Sequence, residues 1–543
     1  MRGSGFAGVI LLVSVAHALT PPIVRTRSGD VKGLRLNVYG EKVNAFLGIP
    51  YASPPLGDLR FRKPSPKASW SVPRWTRSFG KRCMQEIVLD ATAEHYAEGP
   101  GMSEDCLYLN VWSPVNDNST KPVMVWIHGG NFKAGSSDNP AFDGSVLAAT
   151  QNMVVVSFNY RLGFFGFLNA VHGNASGNAG LFDQVFALSW VKTNIAAFNG
   201  NASLVTLFGE GSGIAAIRLL MLSPWSRGLF QRVIMQGGTA HAAKAAESTG
   251  RSLLKADALA VEGGCSKTGH SIVSHPDDVI ECIKSRPAHE VLLAQIELRH
   301  HGIEAPMPTH GTEFLPHNPD LIHDLRGFTS AQVLMGHNRA EGKRLVSQVF
   351  EGRFEALKQQ NNMTNEDAQV ALHVLLSAQG YRRPVATDVA DHYLKRATSV
   401  GDDARTLVEL VEGGAADVAA GCPSFTFARK LSNAGLTVHY YVLDYVDEDV
   451  DSYFRTDSDH APETTLVFGL PMRFPGKFEE SDRTFSLNIM NAWATFAKRG
   501  MPPTFEGILW PRFSEARPMY LDINETSVHL READTSPCGL LKK

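Results

Sequence analysis

The chain has 543 residues, of which 43% are hydrophobic and 20% charged, with a formal net charge of −3. That is ordinary globular composition with ample material for a core, and it excludes a disordered or fibrous chain. A balance this close to neutral, with no basic stripe standing out along the chain, also argues against nucleic acid as a partner.

At the N-terminus Arg2 precedes a short apolar stretch from Phe6 to Val15, and Ala16-His17-Ala18 has the form of an export cleavage site. We therefore expect residues 1–18 to be a signal peptide and residues 19–543 to form the mature chain. The apolar stretch is short against the roughly 20 residues that span a bilayer, and no other segment is long and apolar enough. The C-terminal Cys-Gly-Leu-Leu-Lys-Lys lacks the hydrophobic tail of a lipid-anchor signal. A secreted, extracellular protein without a membrane span is expected.

Short apolar runs then alternate with helical patterns, as in a mainly parallel sheet flanked by helices. Residues 123–128 (VMVWIH) and 153–160 (MVVVSFNY) read as strands. The segment 180–198 has apolar residues at helical spacing and is expected to be an amphipathic helix. Residues 204–208 (LVTLF) read as a buried strand running into Gly209-Glu210-Gly211-Ser212-Gly213, with a helix beginning at 214–222. Residues 232–236, 332–336 and 439–445 continue the strand series. No composition break marks a linker, so one large α/β domain with long insertions is expected.

Six cysteines suit an oxidising compartment and permit 15 pairings. Pairing sequence neighbours would give Cys83–Cys106, Cys265–Cys282 and Cys422–Cys538. Sequons at Asn118, Asn174, Asn201, Asn362 and Asn524 all fall in polar stretches and point to a glycosylated surface. Histidines 300, 301, 310, 317 and 323 match no metal-ligand spacing, so neither a metal nor a cofactor is expected.

A strand, a glycine-rich turn and a helix form the context of the nucleophile elbow, G-x-S-x-G. The turn lifts one side chain off the sheet, and the helix N-terminus with the next backbone N–H stabilises an oxyanion. Here the frame Gly209-x-Gly211-x-Gly213 is kept, but its centre is glycine and the serine falls one residue later.

Several words carry a more specific resemblance. Residues 177–184 (GNAGLFDQ), then Trp190-Val191 and 208–213 (FGEGSG), resemble the pattern GNxGLxDQ…WV…FGESAG. Residues 103–111 (SEDCLYLNV) and 126–132 (WIHGGNF) resemble two further words of the same family. Together they identify the chain as resembling the type-B carboxylesterase/cholinesterase family, over nearly all of its expected mature length. The resemblance implies the α/β-hydrolase fold and a single domain. It makes Glu341, in 336–342 (GHNRAEG), the expected triad carboxylate and His460, in Asp459-His460-Ala461, the expected base. It assigns the oxyanion hole to Gly130, Asn131 and Ser212, and matches Cys422–Cys538 to the family's third disulfide.

The nucleophile position departs from the family. Gly211 has no side chain, so no acyl-enzyme can form there and His460 has no hydroxyl to activate. Loss of a triad serine costs about 10⁶ in turnover. Asn131 also replaces the usual third loop glycine, and Gln236-Gly237-Gly238 replaces the family word QSG. The loop between Cys83 and Cys106, which carries the choline-binding tryptophan in cholinesterases, contains no tryptophan; Tyr96 is its nearest aromatic. The expected function is binding without hydrolysis, of an extracellular protein or a small apolar or ester ligand held uncut, with a homodimer as an admissible assembly. In this it resembles non-catalytic relatives such as the neuroligins and glutactin. The rival expectation is a carboxylic-ester hydrolase using Ser212 with His460 and Glu341.

Overall fold

The computed structural model describes residues 21–86, 101–115, 119–238, 245–321, 331–339, 341–350, 354, 356, 362–400, 403–445 and 462–541. The expected signal peptide, Tyr96, Asn118, His323 and His460 lie outside these residues.

Eleven strands form one sheet. In spatial order they are Leu34–Val38, Glu41–Pro50, Tyr108–Pro114, Val154–Phe158, Lys121–Ile127, Gly200–Glu210, Arg232–Gln236, Gln332–Asn338, Val438–Asp444, Met519–Asn524 and Val528–Glu532. The seven strands from Val154–Phe158 to Met519–Asn524 run parallel, and the flanking pairs are antiparallel. This is the α/β-hydrolase arrangement expected from the resemblance.

Parallel strands are covered on both faces, so they read as unbroken apolar runs. Val154–Phe158 is buried at every position. Alternate residues of Lys121–Ile127 feed two different cores, as the two-residue period of a strand requires. Val123, Val125 and Ile127 pack with Leu188, Ile214 and Leu219 on one face. Met124 and Trp126 pack with Phe468, Phe485 and Trp493 on the other.

The helix expected over 180–198 spans Ala179–Asn194 and continues as a 3₁₀ turn, Ile195–Phe198. It is not amphipathic. Twelve of its 16 residues are buried, including Asp183 and Gln184, because neighbouring helices cover the face turned away from the sheet. The three neighbour pairings of the cysteines are all formed. Among the described residues no helix is long and apolar enough to cross a membrane.

Candidate functional site

The strand Gly200–Glu210 ends at the carboxyl edge of the sheet, and the helix Ser212–Leu222 begins directly after it. Gly211 alone makes the turn, with φ 56° and ψ −123°. A residue bearing a Cβ adopts such angles only at a cost of about 1–3 kcal/mol. The outer glycines serve close packing instead. A Cβ on Gly209 would stand 2.8 Å from the Ile127 carbonyl oxygen, and one on Gly213 only 2.2 Å from it. The strand–turn–helix unit can therefore press against Lys121–Ile127.

Ser212 is the first residue of the helix and is buried. Its hydroxyl accepts the Phe132 N–H at 3.3 Å and contacts the phenol of Tyr160. That phenol donates in turn to the His128 carbonyl at 2.9 Å. The Tyr160 and His128 rings stack with centroids 4.4 Å apart, and burial pushes the His128 imidazole down to about 4, so it is neutral near pH 7.

The loop after Lys121–Ile127 turns through left-handed backbone at Gly130, Asn131 and Phe132, with φ of 97°, 54° and 59°. Asparagine tolerates this region, which explains why Asn131 can stand in the loop without re-routing it. Among the described residues nothing accepts from the N–H groups of Gly130, Asn131 or Ser212. The helix N-terminus adds the partial positive charge of its dipole to this set.

Three carboxylates gather behind the turn. Glu210 is buried, and its Oε2 would lie 3.1 Å from a Cβ on Gly129, so the carboxylate rests on the glycine loop. Glu341 is buried at the start of the helix Glu341–Phe350, beyond the carboxyl end of Gln332–Asn338. Glu463 is fully buried and accepts the Tyr441 hydroxyl at 3.0 Å. Burial raises the Glu463 carboxyl to about 8, with the charges of Glu341 and Glu210 adding to the rise. Tyr441 and the Gly237 N–H oppose it.

A family model described as "Carboxylesterase family" matches residues 20–538. The chain is 34% identical to a cholinesterase of Mus musculus over 527 residues, covering 94% of this chain and 84% of that protein. It is 32% identical to an acetylcholinesterase-1 of Trittame loki over 546 residues, covering 96% and 95%.

The chain belongs to the carboxylesterase family.

In this carboxylesterase-family chain the structure brings Gly211, Ser212, Gly130, Asn131 and Glu341 to the carboxyl edge of one parallel sheet, where open α/β sheets place their sites. The charges of Glu341 and Glu210 both bear on Glu463. Sequence reasoning missed Glu463. It stands three residues after His460, and a carboxylate so close to the expected base was the signal available. It also missed Tyr160 and His128, because neither belongs to the triad words.

The remaining sequence-level candidates lie elsewhere. Asn362 is exposed, and Asn174, Asn201 and Asn524 are partly exposed. His300 and His301 end the helix Ala288–His300 beside Glu297, and no group of three or more His, Cys, Asp or Glu among the described residues could hold a metal. A small recess lies among Arg60, Glu104, Arg161 and the Cys83–Cys106 bridge, and none of its lining residues belongs to the elbow or the glycine loop.

Proposed function

We propose that this protein is a secreted, glycosylated member of the family that binds without hydrolysing, because its nucleophile position is Gly211. The observation that carries this reading is the turn itself. The residue at its apex is the one that the elbow geometry aims at a substrate, and here it offers only backbone. His460 and Glu341 in their expected roles would then have no hydroxyl to act on. The ligand is a small apolar or ester molecule held beside the glycine loop, or an extracellular protein.

The environment of Ser212 supports this reading over its rival. Its hydroxyl is engaged with the Phe132 N–H and Tyr160, within the first turn of a buried helix. A serine serving as nucleophile must instead hand its proton to a base within about 3 Å.

The test is covalent labelling by a fluorophosphonate serine probe. The natural chain is expected to stay unlabelled, and Gly211→Ser to become labelled, because the acid and base words remain in the sequence. Labelling of the natural chain that Ser212→Ala abolishes would establish the hydrolase reading instead.

A further inference from the structure

The small sheet near the N-terminus carries a surface that the elbow does not use. Its strands are Ile23–Thr26, Gly29–Lys32 and Arg74–Trp75, with the first pair antiparallel and the second parallel. The register sets Ile23, Lys32 and Trp75 in one row across the three strands. Trp75 is 52% exposed and Ile23 56%.

Two cations cover the Trp75 ring. The Arg77 guanidinium sits 3.9 Å from its centroid and the Lys32 ammonium 5.3 Å. Arg74 pairs in register with the buried Val31 and so belongs to the other face of the sheet, where its guanidinium lies 4.8 Å from the ring of Trp70, whose indole N–H donates to the Asp30 carbonyl at 2.9 Å. That bond fixes the Trp70 ring to the sheet. A guanidinium stacked flat on an indole keeps its N–H edge turned outward, and that edge fits a two-oxygen anionic group.

On the same face Asp30 is paired with Arg25, and the segment that supplies Trp75 and Arg77 is one-sided in charge. Between Leu59 and Gln85 the chain has three lysines and five arginines and no aspartate or glutamate. This corrects the sequence-level reading that no basic stripe is present. The acidic residues elsewhere bring the total to −3 and hide the local excess. Arg60 and Arg82 are buried in ion pairs with Glu104 and Asp138, and Lys63 pairs with Glu313. For Lys32, Arg74 and Arg77 no carboxylate among the described residues lies within ion-pair distance.

We propose that this face binds a sulfated polysaccharide. Sulfate and carboxylate groups would meet the outward edge of Arg77 and the Lys32 ammonium. Sugar rings would lie on the exposed row from Ile23 to Trp75. The chain's overall negative charge favours this partner over a membrane or a nucleic-acid duplex. A slender linear polymer can follow a patch the size of one small sheet without bringing a broad anionic surface against an acidic protein. The proposal relies on secretion only for where the partner is met, and the elbow's chemistry does not enter it.

The test uses the full secreted chain and heparin as the probe, on a column and by titration in solution. The natural chain is expected to be retained at an ionic strength of about 0.15 M. Arg77→Glu should bind about tenfold more weakly and with a shallower salt dependence. Arg77→Lys, which keeps the charge and gives up the stacked fork, should fall between them. Lys32→Glu is a second charge reversal at a separate position, and unchanged melting temperatures would show that the variants fold. A natural chain that fails to bind, or charge reversals that leave binding unchanged, would overturn the proposal. So would tighter binding to duplex DNA or to phosphatidylserine vesicles than to heparin.

Discussion

Gly211 and Ser212 are neighbours with opposite structural roles, and two substitutions separate them. Gly211→Ser puts a Cβ where φ is 56°, and should lower stability by about 1 kcal/mol or more while creating a reactive hydroxyl. Thermal melts beside the labelling assay check both halves, and a variant that melts higher would refute the strained-turn account. Ser212→Ala removes the acceptor of the Phe132 N–H and should cost about 1 kcal/mol without changing labelling, which the same melts would show. At this scale the sequence made the turn legible, because the glycine frame and its flanking strand and helix are all local signals. Glu463, Tyr160 and His128 were not legible, because their roles arise from contacts across the fold. Tyr441 reaches Glu463 from another strand, and His128 stacks on a tyrosine 32 positions away.

Among the elements, the helix Ala179–Asn194 illustrates how a buried charge fixes a loop. Asp183 accepts from the Arg161 Nε and Nη2, each at 2.7 Å, and from the Arg161 backbone N–H at 3.1 Å. The segment after Arg161 is bonded to the glycine loop, since the Gly163 N–H donates to the Phe132 carbonyl at 2.8 Å. Asp183→Ala would leave a buried guanidinium without its counter-charge, and should destabilise by about 3–5 kcal/mol in urea titrations. Most of the parallel strands could be read from sequence to within two residues, because they are continuous apolar runs such as 153–160, while 204–208 extends to Gly200–Glu210 through a polar start. Helix environment was harder. The spacing in 180–198 looked one-sided, but both sides are covered, and a residue such as Gln184 is buried only because of neighbours distant in the chain.

For the molecule as a whole, four buried groups shape the dependence of stability on pH. Burial lowers His128 and His439 to about 4 and His337 to about 3. Below pH 6.5 the unfolded chain therefore binds protons at these sites that the fold refuses, and stability falls on acidification. Glu463 acts in the opposite sense. With its carboxyl at about 8 against 4.5 unfolded, the fold keeps a proton that the unfolded chain has lost, so stability falls as pH rises between these values. Together they place a maximum near pH 6.5, and Glu463→Gln should flatten the decline above it and steepen the fall on the acid side, as melts from pH 4.5 to 8.5 would show. The disulfides were legible as neighbour pairs, yet only the fold reveals what the third one encloses. Cys422–Cys538 closes a loop with a sequence separation of 116, and opening it by Cys422→Ser/Cys538→Ser should cost about 4–5 kcal/mol in urea titrations. The enclosed stretch contains three strands of the large sheet, the expected base and Glu463. A protease that nicks the backbone once anywhere inside it leaves both fragments tethered. Such a clipped molecule would migrate as one band until a reducing agent releases its C-terminal piece.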